Sequence, residues 1–300
     1  MGQPSLGVMP VFLQGYITDA AYSRAMVQML EAEGVESVWT VEHVVMAEHP
    51  EPRYPYAEGG RTAHPADTVL PDPLEWLAFA AACTERIHLG TAVMVLPLHQ
   101  PAIVAKRVAT VDNLSGGRLL LGVGSGWQIE EYRACAVPYE RRGARLDDAI
   151  AALRELWQPG YRTHHGPYFQ FDRCESKPTP LRAGGPPIII GGSTEAAARR
   201  AGRLGDGYFP YVISPDDFTA RVETVRSTAS TAGRTSDEVS ITVWPSSWQR
   251  GCSLDLEVMR RFADSGVDRV IVGAQECGST EISVIRDFVR RVQDEILAKL

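Results

Sequence analysis

Eight apolar runs of strand length, each followed by a segment of helical periodicity, recur from one end of this chain to the other. The strands are read at residues 6–12, 37–42, 87–95, 118–122, 187–190, 207–213, 239–244 and 269–273. Helices are read at 20–33, 74–84, 102–114, 145–157, 194–204, 215–232 and 254–265, with a last amphipathic helix running to Leu300. Strands that alternate with helices pair in parallel, and eight such units close into an α/β fold, a single (β/α)8 barrel. A doubly wound sheet would need a point of chain reversal, and no strand pattern marks one. Residues 1–300 therefore read as one domain. Two insertions interrupt the alternation. Residues 44–73, after strand two, are too long for a simple connection and carry Arg53, Tyr54, Tyr56, Arg61 and His64. After helix four comes YRTHHGPYFQF, whose central Gly-Pro and alternating aromatics predict a small hairpin.

Active sites of such barrels lie at the C-terminal ends of the strands, so the residues just after each apolar run are the informative ones. Composition narrows what they can do. A formal net charge of -7 without a basic stripe argues against nucleic acid. The longest apolar stretch, LAFAAAC, is far short of the ~20 residues that span a bilayer. MGQPSLGVMP lacks the basic and apolar regions of a signal peptide, so a cytoplasmic location is expected. Five dispersed cysteines without a CxxC pair predict neither a disulfide framework nor a zinc site.

Elimination then runs along the strand ends. His43 is the one histidine among them, and a metal centre needs three or four ligands. His164 and His165 are neighbours in a strand and point to opposite faces. No lysine ends a strand, which removes Schiff-base chemistry, and Gly124-Ser125-Gly126 has the wrong spacing for a nucleophile elbow. In RLLLGVGSGW, Gly122 and Gly124 fit a dinucleotide fingerprint, but its third glycine would fall at Trp127. Gly191, Gly192, Ser193 and Thr194 run straight into a helix, which makes either an anion-binding turn or an ordinary N-cap. One histidine, open glycine turns and abundant aromatics point to a bound organic cofactor.

The run from SVWTVEHVV through RYPYAEGGR, TERIHLGTAVMVLPLHQP and KRVATVDNLSGGRLLLGVGSGW to RGARLDDAIAALRELW resembles the bacterial luciferase-like superfamily, and most closely its coenzyme F420-dependent oxidoreductases. The resemblance implies that Glu42 and His43 end strand two at the cofactor, that the Ala92–Val93 bond is a non-proline cis peptide under the ring, and that Gly124, Ser125, Gly126 and Trp127 with Gly191, Gly192 and Ser193 hold the cofactor's ring edge, side chain and phosphate. FMN-dependent relatives tend to carry an arginine near the first of these turns; the small Ser125 implies coenzyme F420 instead. The expected activity is hydride transfer between deazaflavin and a small organic C=C, C=N or C=O substrate. His43 is then the proton donor or the hydrogen-bond partner of the developing charge; apart from the resemblance it reads rather as a strand-end histidine satisfied by a backbone carbonyl. Phe12, Tyr54, Tyr56, Trp244 and Trp248 either line the substrate pocket or pack. Two rival readings stand beside this one: an FMN-dependent monooxygenase using a partner reductase and O2, and a barrel that binds a flavin-like ligand without catalysis. The family further implies a homodimer. Sugar-phosphate dehydrogenases of this group have an acidic glutamate where this chain has Trp127, and its role is not transferred to Glu130 or Glu131. With only Lys106, Lys177 and Lys299 in the chain, a sugar-phosphate clamp is not expected.

Overall fold

Half of the α-helices among the described residues begin where the sequence supplies a side-chain acceptor for their unpaired N–H groups. The computed structural model describes residues 2–51, 53–57, 60 and 68–300; Arg61 and His64 lie outside the described residues. Asp19 accepts from Tyr22 N–H to start α1 (Ala20–Ala32), and Asp72 followed by Pro73 starts α2 (Pro73–Cys83). Next come α3 (Pro101–Leu114), a short α4 (Ile129–Ala134) and α5 (Arg142–Leu156). Thr194 caps α6 (Glu195–Leu204) and Ser214 caps α7 (Pro215–Thr231). The chain continues through α8 (Pro245–Trp248), α9 (Leu256–Ala263), capped by Asp255, and α10 (Ile282–Arg291).

Strands β1 (Ser5–Met9), β2 (Ser37–Thr40), β3 (His88–Thr91) and β4 (Leu119–Val123) precede a two-stranded hairpin, β5 (Arg162–His165) with β6 (Gln170–Cys174). Then follow β7 (Ile188–Gly191), β8 (Gly207–Phe209), β9 (Ser240–Val243) and β10 (Arg269–Gly273). Leaving the hairpin aside, eight parallel strands close in the order β1-β10-β9-β8-β7-β4-β3-β2. The (β/α)8 barrel read from the sequence is the observed fold, with its two insertions where they were expected. The antiparallel hairpin is moored by Asp148 of α5, which accepts from Tyr168 N–H at 2.8 Å and Phe169 N–H at 2.9 Å and pairs with His164 Nε2 at 2.8 Å. His165 turns instead to Asp172, as neighbours in a strand must.

Trp39 fills the barrel interior. It is fully buried, meets Phe209 edge-on at 5.7 Å, and donates its indole N–H to Ser37 Oγ at 2.7 Å. Gly7 and Gly90 make its room: a Cβ on either would stand 2.8 Å or less from the indole. Several strands end earlier than their apolar runs. Residues 92–95 and 210–213 stay buried or half-buried beyond the regular ladders of β3 and β8, with Met94 alone bridging to Val123, because an apolar pattern records burial more than pairing. The final helix also departs from expectation. After Arg291 it widens into a π turn, Val292–Ile296, and ends in a 3₁₀ turn, which brings Val292, Ile296 and Leu297 all against the core.

Candidate active site

The turn after β4 is shaped by three carbonyls pulled to one side. Ser125 O accepts from the Tyr132 hydroxyl at 2.6 Å, Gly126 O from Arg142 Nε at 3.2 Å, and Trp127 O from the Tyr139 hydroxyl at 3.1 Å. In trans peptides the following N–H groups face the other way, so the turn is held open toward the barrel mouth. Arg142 lies over the Tyr139 ring at 4.1 Å, which commits its charge to this scaffold.

His43 stands two residues beyond Val41 at the end of β2, and its Nδ1 lies 3.1 Å from Glu131 Oε2. The other carboxylate oxygen accepts from Val44 N–H at 2.6 Å. Of the two readings left open for His43, the structure supplies a carboxylate as the partner of its Nδ1. Glu131 is fully buried in the first turn of α4, a helix the sequence reading did not resolve. Its neighbours fasten the insertion to the same turn. Gln128 accepts from Ala47 N–H at 3.4 Å and donates to Val45 O at 3.0 Å, and Glu130 accepts from Glu51 N–H at 3.0 Å. Glu42 turns the opposite way from His43 along the strand. Its buried carboxylate accepts from Val95 N–H at 2.6 Å and meets His99 Nε2 at 2.9 Å, bracing the turn after β3. The mouth therefore carries two imidazole–carboxylate pairs. His99 and Glu131 escaped sequence reasoning because each lies several residues past its strand, where no period marks it.

Inside the braced turn the Ala92–Val93 peptide is cis. The Val93 side chain lies between two strands' ends: a Cβ on Gly124 or on Gly191 would come within 2.6 Å of one of its methyls. Glycine at both positions leaves room for the Val93 methyls, which give an apolar floor between β4 and β7.

Beyond that floor, Gly192 takes φ +116° and Ser193 exchanges hydrogen bonds with Tyr211, donating its hydroxyl to Tyr211 O and accepting from Tyr211 N–H. Thr194, and not Ser193, is the cap of α6, accepting from Ala197 N–H at 3.2 Å. Arg221 of α7 donates Nε to Ser193 O at 3.0 Å, placing a cation behind this turn. The Tyr56 hydroxyl reaches it from the insertion, 3.9 Å from where a Gly192 Cβ would be. Burial pushes the Tyr56 phenol up, and the backbone and hydroxyl of Ser193 partly offset that rise.

Rings cross the mouth from one side to the other. Trp127 meets His43 edge-on at 6.1 Å and Tyr54 at 5.0 Å; Tyr54 meets Tyr56 at 5.4 Å; Tyr56 meets Tyr211 at 5.0 Å; Tyr211 meets Trp244 at 5.6 Å. Trp244 is fixed by Glu276, which accepts its indole N–H at 2.8 Å. Tyr54, Tyr56 and Trp244 are thus brought together, with Tyr211, a strand-end residue in the sequence but not one assigned to the pocket there, as a further member. Phe12 is buried with the barrel core, its carbonyl accepting from Val69 N–H at 2.7 Å, and Trp248 ends α8. Among the described residues no three His, Cys, Asp or Glu side chains group to hold a metal, and no helix is long and apolar enough to cross a membrane.

With this geometry in view, similarity to known proteins is informative. Residues 6–247 match the luciferase-like monooxygenase family. A protein of Mycobacterium tuberculosis described as uncharacterised is 29% identical over 261 residues, 86% of each chain. The FMNH2-dependent dimethylsulfone monooxygenase of Pseudomonas putida is 30% identical over 218 residues, covering 72% of this chain and 55% of that one. In structure, the coenzyme F420-dependent tetrahydromethanopterin reductase of Methanopyrus kandleri superposes with a TM-score of 0.75 over 99% of both chains at 15% identity, which shows a shared fold. The chain belongs to the luciferase-like monooxygenase family.

Proposed function

We propose that this protein is a coenzyme F420-dependent oxidoreductase that moves hydride between the deazaflavin and a small organic substrate with a C=C, C=N or C=O group. The observation that carries the reading is the His43–Glu131 pair at the same barrel mouth as an apolar floor made by Val93, Gly124 and Gly191. A planar ring fits over an apolar floor where Gly124 and Gly191 add no side chain of their own, and a carboxylate-held imidazole is the group that handles a proton beside it. When bound, the deazaflavin supplies the hydride chemistry at its C5.

The remaining work belongs to the chain. Gly192 and Ser193, backed by Arg221 and the N-terminus of α6, receive the cofactor's phosphate. Glu42 serves the ring indirectly, by holding the turn that carries Ala92 and Val93. His43 exchanges the proton that balances hydride transfer, and the arc of Trp127, Tyr54, Tyr56, Tyr211 and Trp244 keeps water from the reacting carbon. Coenzyme F420 is favoured over FMN because Ser125 brings no cation to the β4 turn and Arg142 is committed to Gly126 O and Tyr139.

The similarity to an FMNH2-dependent monooxygenase supports a second reading, in which the same floor holds FMN and a separate reductase and O2 complete the reaction. Titration with each cofactor separates the two. The expected result is saturable binding of coenzyme F420, followed on the purified protein by its absorbance, and oxidation of the reduced form by members of an enone, imine and ketone panel. Tight FMN binding with no F420 binding overturns the first reading. Binding of either cofactor without turnover on any substrate favours a storage or sensing role.

A further inference from the structure

We propose that Glu131 is the positioning residue of the site: it decides which nitrogen of His43 carries the hydrogen. The inference rests on the reading of His43 as the proton-handling group and names the residue that prepares it. Glu131 divides its two oxygens between different partners. Oε1 accepts from Val44 N–H at 2.6 Å, and a backbone N–H can only donate. Oε2 faces His43 Nδ1 at 3.1 Å, and an ionised carboxylate can only accept. The hydrogen of the neutral ring therefore sits on Nδ1, and Nε2 is the nitrogen with the lone pair.

The rest of α4 makes this arrangement stiff. Gln128 and Glu130, in the same turn as Glu131, bond Ala47, Val45 and Glu51, so the helix and the segment after His43 are tied at several points. Trp127 packs against the His43 ring edge-on at 6.1 Å and limits its rotation. An imidazole so held takes a proton at Nε2 and returns it, with the buried carboxylate offsetting the transient positive charge.

Glu131→Gln tests the assignment through a donor–acceptor conflict. The amide has one acceptor oxygen, which Val44 N–H claims; its NH2 then faces Nδ1 and forces the ring hydrogen onto Nε2. Long-range proton–nitrogen NMR of histidine-labelled protein, without cofactor and in alkaline buffer, reads the tautomer directly, with the His43 signals assigned by their loss in His43→Gln. The expected result is Nδ1–H in the native protein and in Glu131→Asp, and Nε2–H in Glu131→Gln. In turnover, Glu131→Gln lowers kcat about 100-fold or more while the Kd for cofactor changes by less than about twofold, and Glu131→Asp recovers most of the rate. An Nε2–H ring in the native protein, or the same tautomer in Glu131→Gln, overturns the positioning role whatever the enzyme's substrate. The expected tautomer switch in a protein that turns over with neither coenzyme F420 nor FMN sustains the positioning role and defeats the functional reading instead.

Discussion

At the N-terminal rim of the barrel, charged groups are bonded mainly to backbone and to one another; at the C-terminal rim, carboxylates are bonded to imidazoles. Below, Arg118 is buried and donates to the carbonyls of Ala81, Thr84, Ile87 and Ser115 and to Thr84 Oγ1. Glu31 accepts three successive backbone N–H groups, from Glu85, Arg86 and Ile87, at 2.6 to 3.0 Å. Arg269 grips Glu36 through two nitrogens, at 2.6 and 2.7 Å, with one imidazole, His88, farther off at 3.5 Å from the same carboxylate. Above, His43 pairs with Glu131 and His99 with Glu42, around glycine turns and a ring-lined mouth. Guanidinium groups keep their charge at every working pH, so the lower rim acts as a set of fixed bolts. A neutral imidazole has one nitrogen that donates and one that accepts, so the upper rim carries side chains suited to relaying a proton. The contrast separates stability from function within one closed sheet.

Substitutions sharpen or break that contrast. His43→Ala has the largest expected effect: kcat falls about 100- to 10,000-fold with thermal stability nearly unchanged, measured by turnover and melting. Full activity in this variant would erase the functional side of the comparison. Arg118→Met should do the reverse, costing roughly 2–4 kcal/mol in urea denaturation by stranding buried carbonyls, with kcat per folded molecule retained. Gly191→Ala touches both properties, because its methyl displaces Val93. Cofactor Kd rises about tenfold or more by equilibrium titration, and stability drops by roughly 1–3 kcal/mol. Tyr56→Phe removes the hydroxyl beside Ser193 and weakens cofactor binding by about 1 kcal/mol in the same titration, leaving the melting temperature in place.

The smallest effect concerns acid. Burial raises the Glu36 carboxyl, but hydrogen bonds and charge from Arg269 outweigh it and hold it below the ordinary carboxylate value. A depressed folded value means that this group's stabilisation is present above the unfolded value, about 4.3, and is lost as pH falls through the folded one. Glu36→Gln should therefore flatten the loss of stability below about pH 4, by about 1 kcal/mol or less, in denaturation curves taken across that window. An unchanged acid limb would show that the lower-rim pair carries no titratable stability.

Legibility in the sequence followed the same division. Strand β10, Arg269–Gly273, was read to the residue, and α2 to within one residue at each end, because apolar periodicity acts within a few residues. His43 and the glycine turns were legible as strand-end residues. Glu131 was not, since nothing local distinguishes the acid that meets His43 from Glu130 beside it, which bonds Glu51 N–H. Tyr211 was seen at a strand end, but its place between Tyr56 and Trp244 depends on where the insertion crosses the mouth.

The amino-acid order alone determined eight strand–helix units and their parallel closure, because hydrophobic period and capping are short-range steric and solvation effects. Only the closed sheet decided that His43 meets Glu131 across 88 positions of chain, that Val93 lies between Gly124 and Gly191, and that Tyr56 reaches Ser193. Those meetings depend on strand register, on the tilt that brings the ends of separate strands together, and on the path of one insertion, none of which any short window of sequence encodes.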